Sequence, residues 1–457
     1  MGKIVIVAEK PDVGTRLAAT LGGCYINGTE LKPDMLGSRK WEGIIKKERF
    51  TKGYLGCNYH GRELIVTWGF GHMAELKQAA DYDPKYRRWS ETLFPFIPPS
   101  YEIKLKEGAG LKKHFQLLKK FLTARDTEYI INATDADREG ELIFDYIYRL
   151  SGSRKPFKRL WISSFTEEAV INGFKQLKDS EAVKALTEAG RCRAIADWLV
   201  GANFTALSTV KFGGFRNMIS VGRVQTPTLA LLVNRELEIQ GFAPETYFEL
   251  VATFLTAKGE AYLGKWQVGK TDRFKDPAAA AEVLARVEGK DGLVTKHETT
   301  TNKELPPLLY DLNTLQGDAN SRFGLSAKKT LDIAQKLYEN QLITYPRTNS
   351  RYLTTDLQPE ISRVIKALPP EYEPWRETLL GKNLPISPRI FNNAKVESHH
   401  AIIPTYKTAK NLTPEEQKIY GLVARSLLKA FMPPAVWGNT KVVTEVAGEL
   451  FYSSGRV

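Results

Sequence analysis

Residues 127–152, TEYIINATDADREGELIFDYIYRLSG, constrain the fold of this chain more than any other stretch. The segment Tyr129–Ala133 is strand-like, and Ser151-Gly152 ends the stretch with a typical helix stop. Between them, apolar residues recur three and four positions apart, as on a helix with one buried face: Leu142, Ile143, Tyr146, Ile147 and Leu150. A strand that leads directly into a helix predicts one unit of a parallel α/β sheet.

The N-terminus repeats this plan in KIVIVAEKPDVGTRLAATLGG, residues 3–23. Here Ile4–Val7 predicts a buried strand and Asp12–Leu21 a helix, with Pro11 suited to the helix start. Strands that alternate with helices predict a parallel α/β domain over residues 1–152. In such sheets functional side chains gather beyond the carboxyl ends of the strands, where Glu9 and the acids after Ala133 both fall.

The remainder of the chain changes character several times. With 457 residues, it is too long for one compact core and is expected to form two to four domains. Residues 153–240 are mainly helical in pattern, 241–303 suggest strands, and 304–407 return to helix. Residues 408–457 contain one more helix and then β-like sequence, so the whole chain is predicted to be multi-domain α/β and α+β.

The net charge favours nucleic acid as a partner, and the hydropathy pattern argues against a membrane-spanning segment. The net charge of +13 attracts polyanions such as DNA, although it also fits a merely basic protein. No segment approaches the roughly 18 apolar residues that span a membrane, and the N-terminus does not resemble a secretory signal. The three cysteines form no CxxC pair. We therefore expect a cytoplasmic protein.

The acids after the second strand are candidates for a metal site. Asp135, Asp137 and Glu139 alternate with other residues and can direct oxygens into one space, and Glu9 follows the neighbouring strand. Oxygen ligands suit Mg²⁺, whose charge would offset the repulsion among the carboxylates. The alternative is an ordinary acidic loop at a helix N-terminus, where negative charge is favourable in any case.

Two further motifs suggest phosphate chemistry. In LITYPRTNSRYL, residues 342–353, Tyr345 could act as a nucleophile and Arg347 could hold a phosphate oxygen. Alone, the same residues also fit a strand end with a surface arginine. In VESHHAIIPT, residues 396–405, adjacent histidines point in different directions, so at most one, His399, is a catalytic candidate.

Possible nucleic-acid contacts lie in ISVGRVQTPTLALL, residues 219–232, where Gly222 allows close backbone approach and Arg223 and Gln225 supply donors. Trp89 and Trp198 lie near basic residues and could stack on bases. The alternatives are a capped helix start and two half-buried tryptophans. The stretch LKKHFQLLKKFL, residues 111–122, has one apolar stripe and predicts an ordinary amphipathic helix.

Together these motifs resemble the type IA DNA topoisomerases, most closely the bacterial topoisomerase III enzymes. VAEKP and DADREGE match the TOPRIM module, and SVGRVQTP, YPRTNS and HHAIIPT follow in the family's order. The resemblance implies a toroid with a TOPRIM domain at 1–152 and a groove-lining DNA-binding domain at 153–240. It further implies an arch domain at 241–303 and 408–457 and a tyrosine-bearing domain at 304–407.

The resemblance also implies the reaction and the roles of the residues. One DNA strand would be cut through a 5′-phosphotyrosine on Tyr345, another strand passed through, and the cut resealed without ATP. Arg347, Lys10, His399 and Glu9 would act at the reacting phosphate, and Mg²⁺ would be held by Glu9, Asp135 and Asp137 with help from Glu139. The implied partner is single-stranded, negatively supercoiled or catenated DNA, bound by a monomer. The DNA-contact positions are Trp89, Trp198, Ala206, Ser220, Val221, Gly222, Arg223, Val224, Gln225 and Arg347.

Three departures from the family pattern keep alternatives open. Ala206 stands where arginine is frequent, residues 32–58 form an additional basic segment, and family members continue beyond the equivalent of Val457. One alternative is a DNA-binding fragment that cannot complete strand passage. Another is a different TOPRIM enzyme, such as a primase or nuclease, which is disfavoured because those enzymes do not need Tyr345 in its YPRT setting.

Overall fold

The computed structural model describes residues 2–36, 39–108, 110–214, 217–380, 384–397 and 399–457. Part of the basic segment 32–58 therefore lies outside the described residues, as does Ser398 of the histidine motif. The helices are, in chain order, α1 (Pro11–Leu21), α2 (Arg39–Lys52), α3 (Ala79–Tyr82), α4 (Leu111–Thr123), α5 (Arg138–Ser151), α6 (Glu167–Lys175), α7 (Lys184–Ser208), α8 (Gln225–Gln240), α9 (Pro277–Val287), α10 (Leu312–Phe323), α11 (Ala327–Glu339), α12 (Gln358–Lys366), α13 (Glu373–Leu380) and α14 (Pro414–Ala430).

The strands form two larger sheets and two short pairs. They are, in chain order, β1 (Lys3–Ala8), β2 (Tyr25–Ile26), β3 (Thr29–Glu30), β4 (Tyr54–Tyr59), β5 (Arg62–Trp68), β6 (Ala74–Leu76), β7 (Ile103–Leu105), β8 (Thr127–Ala133), β9 (Phe157–Arg159), β10 (Lys178–Asp179), β11 (Val251–Leu255), β12 (Ala261–Trp266), β13 (Leu293–Glu304), β14 (Ala435–Val446) and β15 (Glu449–Arg456).

The first large sheet has the order β10-β9-β8-β1-β5-β4. Its inner strands β9, β8, β1 and β5 are parallel, as the alternating pattern predicted, and β4 and β10 join antiparallel at the two edges. The sheet extends past the predicted boundary at residue 152, because β9 and β10 continue it. The basic segment 32–58 includes α2 and most of the edge strand β4.

The core of this sheet contains several of the apolar positions that the sequence patterns selected, together with Phe144, which they did not. Val5 and Val7 of β1 and Ile130 of β8 pack in one buried cluster with Ile143 and Phe144 of α5. The amphipathic helix α4 adds its predicted stripe to the same cluster through Phe115, Leu118 and Leu122. Burial of each such side chain stabilises the fold by about 1.5–3 kcal/mol.

The second large sheet, β11-β12-β15-β14-β13, is antiparallel throughout. The strands predicted in 241–303 and after 408 are present, but the first of these ranges also contains α9, which the sequence analysis did not predict. Asp276 caps α9 by accepting a hydrogen bond from Ala278 N at 2.9 Å.

The chain divides into two compact units. The first comprises Met1–Ala230 with Leu308–Ala430, and the second comprises Leu231–Pro307 with Phe431–Val457. Of the range 408–457 that the sequence analysis assigned to the arch domain, helix α14 belongs to the first unit and strands β14 and β15 to the second. In the described part of the chain, no helix combines the length and apolar character needed to cross a membrane.

Candidate active site and nucleic-acid interface

The acid-rich loop between β8 and α5 is shaped by a hydrogen bond and a glycine. Asp137 is the N-cap of α5, where its Oδ1 accepts a hydrogen bond from Gly140 N at 2.7 Å. A Cβ atom at Gly140 would lie 2.1 Å from the carbonyl oxygen of Asp135. Since real Cβ atoms do not approach backbone oxygens so closely, only glycine fits at this position in the first turn of α5.

A buried arginine holds the same loop through hydrogen bonds to its carbonyl oxygens. Arg159 at the end of β9 is fully buried, forms an ion pair with Glu141 and donates to the carbonyl oxygens of Thr134 at 2.8 Å and Asn132 at 3.1 Å. It also donates to the carbonyl oxygen of Asp135. The sequence analysis did not identify Arg159. An arginine in the stretch FKRLWI, which follows the helix after the acidic loop, was the available signal.

Two of the predicted metal ligands meet at the carboxyl ends of β1 and β8. Glu9 and Asp135 are 5% and 4% exposed, and Asp135 N donates to Glu9 Oε2 at 3.2 Å. The Oδ2 atom of Asp135 is buried and has no hydrogen-bond partner among the described residues. Burial, followed by the neighbouring Glu9, raises the pKa of Asp135 to about 8, and burial also raises the pKa of Glu9. These two carboxylates therefore lack sufficient compensating positive charge.

Two cations lie at the edge of this pair of acids. Lys10 Nζ is 4.0 Å from Glu9 Oε1 and 3.6 Å from Oε1 of Glu339 on α11. Arg347 Nη1 is 3.9 Å from Asp137 Oδ2. These are long ion-pair distances, so both side chains retain hydrogen-bonding capacity for another anion.

Tyr345 lies directly against the acid loop, although 208 residues separate it from Asp137. Its hydroxyl donates to Asp137 Oδ2 at 2.7 Å, and its backbone N donates to the carbonyl oxygen of Ser163 at 2.9 Å. The side chain is 1% exposed. Burial, with the carboxylates Asp135 and Asp137, raises the pKa of Tyr345 far above its ordinary value, so the phenol is protonated and shielded here.

His399 lies on the other side of the tyrosine ring, with 4.5 Å between the ring centroids. Its Nε2 contacts the carbonyl oxygen of Ala136, and its Nδ1 lies 2.9 Å from the Ser163 hydroxyl. A carbonyl oxygen can only accept, so Nε2 holds the proton and Nδ1 accepts from Ser163. Burial lowers the pKa of His399 to about 4, and the imidazole is therefore neutral at physiological pH.

Glu139 pairs with two basic side chains. His72 Nε2 lies 3.0 Å from Glu139 Oε1, and Arg193 Nη1 lies 3.9 Å from Oε2. The hydrogen bond from His72 lowers the pKa of Glu139. His72 and Arg193 were not singled out from the sequence, because nothing local to either residue links it to the acidic motif.

The chemistry of these donors fits a divalent metal ion, although the cluster is not closed around one. Among the described residues, no three acidic, histidine or cysteine side chains surround a common point closely enough to hold a metal. Asp137 is occupied by Tyr345 and Gly140, which leaves Glu9 and Asp135 as the converging pair. A small hard cation needs only one or two carboxylates with water or phosphate oxygens, and the unpartnered Oδ2 of Asp135 is such a ligand.

Next to Glu139, a cavity of about 260 Å³ is lined by Arg193, Asp197 and Trp198 of α7. Arg223 Nε donates to Asp197 Oδ1 at 2.7 Å, and the backbone of Val221 exchanges hydrogen bonds with Thr205 Oγ1 at 3.0 and 3.2 Å. The predicted segment Ser220–Gln225 therefore lies along α7, beside this cavity.

The remaining predicted contacts differ in exposure. Trp89 is 41% exposed and packs edge-on against Phe94, whereas the indole N–H of Trp198 is buried without a partner among the described residues. In that segment Ser220, Arg223, Val224 and Gln225 are exposed, and Val221 and Gly222 are half-buried. Ala206 is fully buried within α7, so its side chain presents nothing to a ligand in this structure.

Comparison with known proteins agrees with this arrangement. A family model described as DNA topoisomerase matches residues 181–457, and one described as Toprim domain matches residues 4–165. The DNA topoisomerase 3 proteins of Bacillus subtilis and Bacillus licheniformis are each 36% identical to this chain over its full length. The chain spans 58% of the length of these two relatives.

A solved structure extends the comparison to the fold. Full-length topoisomerase I from Thermotoga maritima matches 99% of this chain and 65% of its own chain, with a TM-score of 0.67 and 23% sequence identity. Toprim domains bind a divalent metal ion, in keeping with the paired acids at the strand ends. The resemblance inferred from the five motifs is thus confirmed, and the chain belongs to the type IA DNA topoisomerase family.

Proposed function

We propose that this chain cleaves and rejoins one strand of DNA through a covalent bond to Tyr345. The observation that supports this most directly is the 2.7 Å hydrogen bond from the Tyr345 hydroxyl to Asp137 Oδ2. It places a phenol oxygen beside a carboxylate that can accept its proton, at the edge of a metal-binding fold.

The bond changes of the proposed reaction balance without ATP. The Tyr345 oxygen attacks the phosphorus and forms a phosphotyrosine, while the bond from phosphorus to the 3′ oxygen of the preceding nucleotide breaks. The Tyr345 proton passes towards Asp137, and solvent supplies a proton to the departing 3′ oxygen. Rejoining reverses each change, so the energy of the phosphodiester is retained in the phosphotyrosine.

Two positive groups beside the acids support a role in stabilising the phosphate. Arg347 lies 3.9 Å from the carboxylate that holds Tyr345, and its Nε is buried without a hydrogen-bond partner among the described residues. Lys10 lies beside Glu9. We assign both side chains to the phosphate oxygens, where fixed cations stabilise the charge that develops during transfer.

His399 is assigned to positioning and to a direct phosphate contact. As a neutral imidazole with its proton on Nε2, it is held between Ala136 and Ser163 and packs against the Tyr345 ring. Release of the hydrogen bond to Ala136 would free the Nε2 proton to donate to a phosphate oxygen. Glu9 contacts both Lys10 and the backbone of Asp135, and we assign it to the metal and to the reacting phosphate.

We propose Mg²⁺ as the divalent ion, held by Glu9 and Asp135, with Asp137 and Glu139 as further ligands once released from Tyr345 and His72. When bound, Mg²⁺ supplies positive charge that holds DNA phosphates beside the acids. The support is the buried, unpartnered Asp135 Oδ2 and the mutual repulsion of Glu9 and Asp135.

We propose that the substrate is a single-stranded segment within negatively supercoiled or catenated DNA, and that the chain acts as a monomer. Trp89, Trp198 and the segment Ser220–Gln225 would line its path, with the cavity beside Glu139 accepting part of a nucleotide. Because Tyr345 is 1% exposed, a DNA strand reaches it only after the acid loop and the tyrosine segment move apart.

The test is covalent trapping of end-labelled single-stranded DNA after denaturation. Tyr345→Phe removes one oxygen atom, so we expect trapping to disappear while DNA binding stays within about twofold. The matched control is Tyr338→Phe, which removes the same atom from a buried ring 5.1 Å away and should retain trapping.

Label retained by the Tyr345→Phe variant would reject Tyr345 as the nucleophile. Plasmid relaxation should be assayed on the same preparations, since relaxation needs strand passage as well as cleavage. Trapping without relaxation would support the chemistry assigned here and favour a DNA-cleaving piece over a complete topoisomerase.

A further inference from the structure

The stretch 159–163, which begins at the last residue of β9, directs its side chains alternately to two parts of the first compact unit. Leu160 and Ile162 are buried, and a Cβ atom on Gly173 of α6 would lie 2.9 Å from the first and 2.5 Å from the second. These two side chains therefore face α6. Successive side chains of an extended chain point to opposite sides, so the other three face away from α6.

Those three side chains reach groups of the candidate active site. Arg159 donates to carbonyl oxygens of the acid loop. The Ser163 hydroxyl donates to His399 Nδ1 at 2.9 Å, and the Ser163 carbonyl oxygen accepts from Tyr345 N at 2.9 Å. Between them in the chain, Trp161 stacks on His399, with 5.6 Å between the ring centroids and 9° between the ring planes. One short extended segment thus contacts the acid loop, the tyrosine and the histidine.

The stack supplies a restraint on the His399 ring that its hydrogen bonds do not. Nδ1 and Nε2 are held by Ser163 and by the carbonyl oxygen of Ala136, and these two contacts fix the positions of the ring nitrogens. Two fixed points define an axis, about which a planar ring can still tilt. The nearly parallel ring of Trp161 opposes that tilt, because a tilted imidazole would lose its close contact with the indole.

The Trp161 ring is itself held by two cations. Lys178 Nζ lies 4.6 Å and Arg159 Cζ 5.3 Å from its centroid. Lys178 on β10 is the register partner of Arg159 in the antiparallel pair, so both side chains lie on the same face of the sheet. Cations are attracted to the electron-rich face of an indole, and these two therefore restrain the surface on which His399 stacks.

We propose that Trp161 is a positioning residue, which holds the plane of the His399 imidazole so that its Nε2–H is directed at the acid loop. The inference rests on the role proposed above for His399, in which this N–H donates to a phosphate oxygen. Trp161 acts through the imidazole and not on the phosphate. Phenylalanine at this position keeps a flat ring for the stack, whereas leucine fills space without one.

The first measurement concerns the imidazole alone and uses the full chain without DNA. Nitrogen-15 labelling of the six histidines makes their ring N–H groups visible by NMR, and His399→Gln identifies the His399 signal by its loss. We expect the Nε2 proton of His399 to exchange with water about tenfold faster or more in Trp161→Leu, and at nearly the wild-type rate in Trp161→Phe. Equal exchange in Trp161→Leu and the wild type would overturn the proposal.

The second measurement is the rate of covalent trapping across a titration of single-stranded DNA. Trp161→Leu should lower the rate at saturating DNA about tenfold or more, with the half-saturating concentration within about twofold of the wild type. Trp161→Phe should restore most of the rate. Trp375→Leu on α13 is the matched control, since Trp375 is 47% exposed, and it should change neither quantity. Loss of DNA affinity alone in Trp161→Leu would overturn the positioning role.

A double-mutant cycle separates action through His399 from general damage to the fold. If Trp161 acts through the imidazole, adding Trp161→Leu to His399→Gln should cost less than about twofold more in trapping rate. A further loss as large as that of Trp161→Leu alone would overturn the proposal. Wild-type trapping by His399→Gln would instead reject the role proposed for His399, and the proton-exchange rates would still decide whether Trp161 positions the imidazole.

Discussion

Asp135, a buried carboxylate in the first compact unit, and Glu449, a half-buried carboxylate in the second, have opposite environments. Asp135 at the acid loop has an oxygen without a partner, and burial beside Glu9 raises its pKa to about 8. Glu449 in the antiparallel sheet receives the Trp266 indole N–H at 2.7 Å and Arg286 Nη2 at 2.6 Å, and these donors lower its pKa.

The difference separates a structural carboxylate from one that is incomplete without a ligand. Both donors to Glu449 lie in its own unit, so its charge is compensated by the fold itself. When Asp135 is ionised its charge is not compensated, because the nearest acidic group repels it and the nearest cations lie at the edge of the site. Uncompensated buried charge of this kind concentrates at functional sites, where a bound ligand can compensate it.

The largest expected effect comes from adding a Cβ atom at Gly140, next to the backbone of Asp135. Gly140→Ala places a Cβ 2.1 Å from the Asp135 carbonyl oxygen, so the loop must shift. A displacement of about 1 Å at a reacting centre costs roughly 100-fold in rate, so we expect trapping to fall at least that much. The measurement is the initial rate of covalent trapping, with the free energy of unfolding followed by urea denaturation.

Gly317→Ala on α10 is the matched control. Nothing lies within 4 Å of a Cβ at this helical position, so the change should raise the unfolding free energy by about 0.5–1 kcal/mol and leave trapping unchanged. Normal trapping in Gly140→Ala would mean that the acid loop does not need its observed conformation.

The next effect contrasts two ion pairs. Arg159→Met leaves Glu141 buried without its cation and frees the carbonyl oxygens of the acid loop, so the unfolding free energy should fall by about 3–5 kcal/mol. Arg286→Met breaks a pair whose arginine side chain is 51% exposed and should cost under about 1 kcal/mol. Urea denaturation measures both, and equal losses would contradict the contrast between the two regions.

Neutralising Asp135 and neutralising Glu449 should change the free energy of unfolding in opposite directions. In buffer with EDTA above about pH 8, where Asp135 is ionised in the folded protein, Asp135→Asn removes the repulsion with Glu9 and should stabilise the fold by about 1–3 kcal/mol. The same change should weaken the dependence of trapping on Mg²⁺. Glu449→Gln loses charge-assisted hydrogen bonds and should destabilise by about 1 kcal/mol. Destabilisation by Asp135→Asn would show that the acid loop is satisfied without a metal ion.

The smallest effect is the pH dependence contributed by Glu449. Its pKa is lower in the folded protein than in the unfolded chain, so its ionised form contributes stability above the unfolded pKa. That contribution is lost as the pH falls through the folded pKa. Thermal unfolding of the wild type and Glu449→Gln should therefore differ at pH 6 and converge towards pH 3, and a constant difference would contradict the assignment.

Much of the fold could be predicted from local pattern. The strand and helix stripes around β1, β8, α4 and α5 depend on periodicity alone, and the structure confirms them. Helix α9 was missed because PAAAAEVLARV lies within a β-rich region, although Asp276 and Pro277 are typical of a helix start. The extension of the sheet by β9 and β10 could not be predicted, because each strand is only two or three residues long.

The sequence by itself determined which residue types are available and, through the order of five motifs, the family. Tertiary structure decided which of them meet: Tyr345 with Asp137 across 208 residues, and His399 with Ala136 across 263. It also decided that Glu139 pairs with His72 and that Arg159 holds the acid loop. Periodicity reports which face of an element is buried, whereas pairing of buried polar groups depends on packing between distant segments, where each donor must find an acceptor away from water.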